Sequence, residues 1–218
     1  MMMAHQEQLM SNIIRFVGDI HGNYKPLIDA ANCEYQVIQV GDFGAGFVDI
    51  PELPSNVRWI RGNHDNSAIA RMHPQWIPDG HYENGILFVG GAYSIDRDRR
   101  RLGISYWEDE ELSYAELNDI IDKAIDFKPH TIVSHEAPSC LLEQFGSYEP
   151  SRTSLALNSI YEEVKPSLWV FGHHHRSIKT KMDNTLFVCC DIDQVVDIDM
   201  ANLYQRNRDH DGNHELMA

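Results

Sequence analysis

The chain has 218 residues, 43% hydrophobic and 23% charged, which suits one α/β domain with a sizeable core and is short for two. No stretch approaches the roughly 18 apolar residues of a membrane span, and the opening MMMAHQEQLM lacks the basic start and apolar run of a secretory signal, so a cytoplasmic location is expected. A formal net charge of −15 repels polyanions and argues against general nucleic-acid binding.

In chain order, the first apolar run, Ile13 to Val17, reads as a buried strand and leads into GDIHG, so that Asp19 and His21 emerge where the strand gives way to a glycine turn. A carboxylate and an imidazole two residues apart form a partial site for a first-row transition metal. The same dipeptide also suits a turn in which Asp bonds its own backbone. A helix is expected to begin near Pro26, with Asn23 as its cap. The run Val37 to Val40 ends in Gly-Asp and delivers Asp42, and Val57 to Ile60 ends in RGNHD and delivers Asn63, His64 and Asp65. Another strand covers Ile86 to Val89, and an arginine-rich loop, SIDRDRRRLGISYW, comes after it.

From Ser113 to Phe127 the pattern is helical: Ser113 and Glu116 form a capping box, and Leu117, Ile120, Ile121 and Ile125 repeat at helical spacing. A further helix covers about Ser154 to Val164. Both end in Lys-Pro, and after each comes a strand with a histidine beyond its end: KPHTIVSH gives His135, and KPSLWVFGHHH gives His173 and His175. Alternation turns His174 away from that pair. A last strand covers Leu186 to Val188, and residues 202–218 read as a polar, mobile tail whose His210 and His214 have no part in the site. His5, His73, His81 and His130 read as surface or loop residues. Cys33, Cys140, Cys189 and Cys190 show no CxxC spacing; they read as small buried hydrophobes, without disulfides.

Every polar group singled out above follows a buried-strand pattern directly. In an open α/β sheet the crevice beyond the strand carboxyl ends is where ligands bind, so five strands supply one rim. The ordered set GDIHG, GD, GNHD, a later single His and GHxH, spanning Gly18 to His175, resembles the signature of calcineurin-like metallophosphoesterases, a superfamily that includes Ser/Thr protein phosphatases. The resemblance implies a sandwich of two central mixed β-sheets flanked by helices, whereas strand count alone fits a single doubly wound sheet as well. It also implies that Asp19, His21 and His175 bind one metal ion, that Asn63, His135 and His173 bind a second, and that Asp42 bridges them.

Oxygen and imidazole donors without thiolate suit Mn foremost, with Fe, Zn, Mg, Ni or Co as alternatives. Two such divalent ions would share a water, and the bridging hydroxide would attack phosphorus in line. His64 would then assist the leaving oxygen. Many family members carry a carboxylate and, in the phosphoprotein phosphatases, an arginine just past the second Gly-Asp, but GDFGAGF has neither. Asp65 or Asp49 is the substitute expected to orient His64. Arg97 and Arg101 are the expected phosphate contacts, with Tyr106 and Trp107 walling the cleft; the competing reading is a solvated loop that offsets the acidic run Glu108 to Glu111.

These features describe a catalytic domain over 11–201 that hydrolyses phosphomonoesters, the substrate being a phosphorylated small molecule or a phosphoprotein. Phosphodiester or nucleotide pyrophosphate hydrolysis at the same centre is the alternative. A noncatalytic metal-binding scaffold is the rival from another class, and the complete ligand set argues against it.

Overall fold

The computed structural model describes residues 12–146 and 149–201. The tail, His5, His210 and His214 lie outside the described residues.

All seven expected strands form, as β1 (Ile13–Val17), β2 (Gln36–Gln39), β3 (Val57–Trp59), β5 (Ile86–Val89), β6 (Thr131–Ser134), β7 (Leu168–Phe171) and β9 (Thr185–Cys189). Three more complete the sheets: β4 (Tyr82–Glu83), β8 (Ile178–Met182) and β10 (Val195–Asp199). None of the three is a continuous buried apolar run: β4 has two residues, β8 alternates between exposed and partly covered positions, and β10 buries only Ile198, all three at a sheet edge. That is why a search for buried apolar runs passes over them.

The strands assemble into a four-stranded sheet, β10-β1-β2-β3, and a six-stranded sheet, β4-β5-β6-β7-β9-β8. Within each, the apolar strands run parallel and the three added ones antiparallel, so both sheets are mixed. Phe16 and Ile38 from the smaller sheet, with Val40 and Ile60 just past the ends of β2 and β3, meet Phe88, Val133, Val170 and Val188 from the larger in one buried cluster. The sandwich is therefore two sheets face to face, and not one doubly wound sheet. Helices cover the outer faces: α1 (Tyr24–Ala30) packs its Leu27 and Ala30 beside Trp59, while α3 (Tyr114–Phe127) and α4 (Arg152–Val164) pack on Trp169, Phe171 and Phe187. A short α2 (Ser67–Ala70) follows β3.

Helix α3 begins at its capping box, with Ser113 Oγ accepting from the Glu116 amide and the Glu116 carboxylate accepting from the Ser113 amide at 2.8 Å. Its buried stripe is Leu117, Ile120 and Ala124, while Ile125 stays 41% exposed. Ser113→Ala is expected to lower the unfolding free energy by about 1 kcal/mol in urea titration, the usual loss for an N-cap of this kind. Asn23 does stand at the N-cap position of α1, but its side chain makes no cap bond. Cys189 and Cys190 are buried as expected; Cys33 is only partly so, and Cys140 is exposed because its 3-10 turn, Ser139–Gln144, turns Leu141 and Leu142 inward instead.

Candidate metal centre

Because β1, β2 and β3 are parallel, as are β5, β6, β7 and β9, their carboxyl ends open on one edge of the sandwich, and the polar turns converge there. Two groups of side chains bring their donor atoms within 4.8 Å of one another: Asp19, His21, Asp42 and His175 in one, and Asp42, His135 and His173 in the other. Asp42 belongs to both. The Asn63 carbonyl joins the second group, 3.1 Å from His135 Nε2. All seven expected ligands are thus brought together.

The turns that hold them are under conformational strain. His21, Asp42, His173 and His175 adopt φ of 45°, 53°, 65° and 48°, the left-handed region that non-glycine residues rarely occupy. Close approach demands glycine beside them: a Cβ on Gly41, itself at φ 104°, would stand 2.2 Å from His135 Nδ1, and one on Gly62 would stand 2.1 Å from Asp42 Oδ1. The Gly-Asp and Gly-Asn pairs of the sequence are therefore packing requirements of the site as well as turn signals.

Hydrogen bonds orient each donor. His135, fully buried, approaches the Val40 carbonyl with Nδ1 at 2.9 Å, which directs Nε2 to Asp42 Oδ1 at 3.3 Å. Asn63 donates its amide nitrogen to Ser94 Oγ at 2.8 Å, leaving its carbonyl for the centre. Asp19 accepts from the His173 backbone and lies 3.1 Å from His175 Nε2. Burial works against charge on Asp42, but His135, His64 and His21 outweigh it and hold the carboxyl far below the usual carboxylate range. The Asp42 carboxylate in turn overcomes burial at His135 and pushes it up to about 10. Burial lowers His173 to about 4.

Asp65 does not reach His64. It is fully buried and accepts four backbone N–H bonds, from Phe43 (3.0 Å), Gly44 (2.7 Å), Ala45 (2.9 Å) and Gly62 (2.7 Å), and so ties the Asp42 turn to the Asn63 turn. Burial and the neighbouring Asp42 charge push its carboxyl up, while those amides pull it down. Asp49 is exposed on its loop. The side chain facing His64 Nδ1 is Arg100, with Nη1 at 2.5 Å. Burial, the strongest influence, lowers His64; Asp42 opposes that and Arg100 adds to it.

A cavity of about 350 Å³ opens beside the centre, lined by Asn63, His64, Ser94, Arg100, Glu136 and His173 together with Leu142 and Phe145. Arg100 is the arginine of its loop that reaches this cavity. Arg97 instead lies over the rings of Tyr93 and Tyr106 at 5.0 and 4.8 Å, hydrogen-bonds the Tyr106 hydroxyl and stands 3.9 Å from Glu110. Arg101 is exposed. Trp107 donates its indole N–H to the His64 carbonyl at 3.2 Å.

Sequence reading missed Ser94, Glu136 and Arg100. Ser94 lies five residues past the end of β5, with GGAY between, so it does not follow its strand as directly as the other groups do. Glu136, next to His135, is buried with one oxygen 2.9 Å from His174 Nε2 and the other 3.6 Å from His173 Nε2. Burial raises its carboxyl, and the two histidines outweigh that to hold it at about 2. His174, stacked on Phe145 at 4.0 Å, is turned towards this carboxylate. His73, His81 and His130 are partly buried and do not line the cavity.

Among solved structures, the chain is similar to a Staphylococcus aureus protein assigned as a 5′-nucleotidase and solved with α-ketoglutarate, at 12% identity and a TM-score of 0.51. That match covers 85% of this chain and 50% of the other, so the chain spans half the length of that relative. A phosphopantetheinyl hydrolase from Mycobacterium tuberculosis aligns over 90% of this chain and 93% of its own at 12% identity and a TM-score of 0.43. The inner-membrane-complex anchor GAP50 of Plasmodium aligns over 82% and 71% at 13% identity and a TM-score of 0.47. No curated protein sequence matches this chain. The sequence does match the calcineurin-like phosphoesterase family over residues 14–177, three quarters of its length and every turn of the site described above, and the chain belongs to that family.

Proposed function

We propose that the chain is a phosphomonoesterase that works with two divalent metal ions, with 11–201 as its catalytic unit. The observation that carries this reading is the position of Asp42, a buried carboxylate shared by two groups of metal-ligand type whose donors lie within 4.8 Å of one another. The donor set fits such a pair: two buried carboxylates, four imidazoles and an amide oxygen, with no thiolate, suit first-row divalent ions, Mn foremost. Asp19, His21 and His175 would hold one ion, Asn63, His135 and His173 would hold the other, and Asp42 is common to both groups. When bound, the ions supply positive charge that acidifies water and stabilises phosphoryl oxygens.

The chain's own residues do the remaining work. His64, with Nε2 3.8 Å from Asp42 Oδ2, presents its ring edge to an oxygen of the ester. Leu142 and Phe145 form an apolar floor for the organic group, and the buried Glu136 keeps His173 and His174 oriented. Arg100 lines the same cavity and stands against His64 Nδ1.

The test is a side-by-side assay of Mn-loaded protein on p-nitrophenyl phosphate, bis-p-nitrophenyl phosphate, a phosphopeptide and a dinucleotide polyphosphate. Monoester turnover that disappears after chelation is expected; faster cleavage of the diester or the polyphosphate replaces the reading with the corresponding one, and no turnover on any of the four ends it. Ser94→Ala, which frees the Asn63 amide to rotate, is expected to weaken one of the two ions about 10-fold in chelator competition while sparing the other. Equal weakening of both would show that Ser94 does not act through Asn63.

A further inference from the structure

His64, partly buried beside the centre, has no carboxylate at Nδ1 among the described residues, where the family resemblance calls for one. Asp65 has both oxygens committed to four backbone amides, and Asp49 is exposed. At His64 Nδ1 stands Arg100 Nη1, 2.5 Å away, and the same nitrogen donates to the Ser105 carbonyl at 3.3 Å. Asp96 grips the other side of the guanidinium, with Nε to Oδ1 at 2.6 Å and Nη2 to Oδ2 at 2.9 Å, a bidentate pair that fixes the plane of the group. Both Asp96 and Arg100 line the cavity with His64.

We propose that Arg100, clamped by Asp96, is the positioning residue of His64 and takes the place of the missing carboxylate. A guanidinium has five donors and no acceptor, so it can face an imidazole nitrogen only by donating to it. Nδ1 is therefore the acceptor, and the ring hydrogen sits on Nε2, the atom turned to the centre and 3.8 Å from Asp42 Oδ2. A carboxylate partner would impose the opposite arrangement at Nδ1, drawing a hydrogen there and favouring the doubly protonated ring. The Asp96–Arg100 pair instead presents the Nε2–H of His64 as a hydrogen-bond donor to an oxygen of the scissile ester, with no proton leaving the ring. Trp107, donating to the His64 carbonyl, fixes the backbone from the other side. The kinetic part of this inference rests on the phosphoesterase reading, whereas the tautomer does not.

Two measurements separate them. In protein labelled with nitrogen-15 at histidine, metal-free and loaded with diamagnetic Zn²⁺, the His64 signals, assigned by their loss in His64→Ala, are expected to show a bare Nδ1 and a protonated Nε2. Arg100→Ala is expected to produce a tautomer mixture, and Asp96→Asn, which leaves the arginine in place, a smaller change in the same direction. A protonated Nδ1 in the parent protein, or signals unaltered by Arg100→Ala, overturns the proposal whether or not the protein hydrolyses anything.

In turnover of p-nitrophenyl phosphate by Mn-loaded protein, Arg100→Ala is expected to lower kcat about 10-fold or more, a part of the roughly 10² to 10³ contributed by one such hydrogen-bond donor, with KM little changed. Added guanidinium is expected to restore some of that rate, which a loss of loop structure would not allow. In the His64→Ala background Arg100→Ala is expected to change kcat less than about twofold, because its effect passes through the imidazole. An undiminished loss in that background, or a loss confined to KM, would assign Arg100 to direct phosphate contact instead.

Discussion

Asp42→Asn is expected to remove turnover, by about 10³-fold or more in kcat/KM or roughly 4 kcal/mol, and to weaken both metal ions together. Other side chains of the proposed ligand set belong to one group only, and replacing one of them should leave the second ion measurable; Asp42 alone is shared. The substitution keeps the fold. Asparagine has the volume of aspartate and tolerates the left-handed backbone at φ 53°, and its side-chain oxygen can still accept the His64 amide that now reaches Oδ1 at 2.9 Å. What changes is a negative charge placed between two cations. Elemental analysis, kinetics and circular dichroism on one preparation read all three properties. Full turnover, or loss of a single ion, would show that this carboxylate is not shared.

Much of this was legible in the sequence because the signals were local. A strand ending in Gly-Asp, Gly-Asn, Ser-His or Gly-His carries both the apolar run that buries it and the polar group it delivers, so Asp19, Asp42, Asn63, His135 and His173 were marked by their own neighbours. The capping box of α3 was legible for the same reason: Ser113 and Glu116 are three residues apart and their bonds are to each other's backbone. The face-to-face arrangement of the sheets was not, since it depends on Phe16 and Ile38 meeting Phe88 and Val170 across the sequence. It was inferred from resemblance and seen only in the packing.

The arginine loop shows the boundary most clearly. Four arginines within five residues are equivalent as a string, and nothing local distinguishes the one that turns inward. Arg97 is drawn aside by Tyr93, Tyr106 and Glu110, and Arg101 has solvent around it. Arg100 is taken by Asp96 four residues earlier and brought to His64, 36 residues away in sequence. Only the Asp96–Arg100 spacing is visible locally, and at four residues it resembles many exposed pairs of little consequence.

Asp65→Asn is expected to cost about 2 to 5 kcal/mol of unfolding free energy, the largest stability loss predicted for this chain. The carboxylate accepts two amides at each oxygen: Gly44 and Ala45 at Oδ1, Phe43 and Gly62 at Oδ2. Asparagine has one carbonyl oxygen, so two buried N–H groups lose their acceptor and face an NH₂ group, at about 1 to 3 kcal/mol for each unsatisfied donor. Against a total of about 5 to 15 kcal/mol for a typical domain this is a large share. Neutralising Asp65 also removes its repulsion of Asp42, which keeps the estimate below the sum of the lost bonds. Because the bonds join the turn after β2 to the turn after β3, the variant should lose metal affinity along with stability, whereas His64→Ala should lose turnover alone. Urea unfolding of metal-free protein separates the two: a midpoint unmoved by Asp65→Asn would mean that the turns carrying Asp42 and Asn63 are held by something other than this carboxylate.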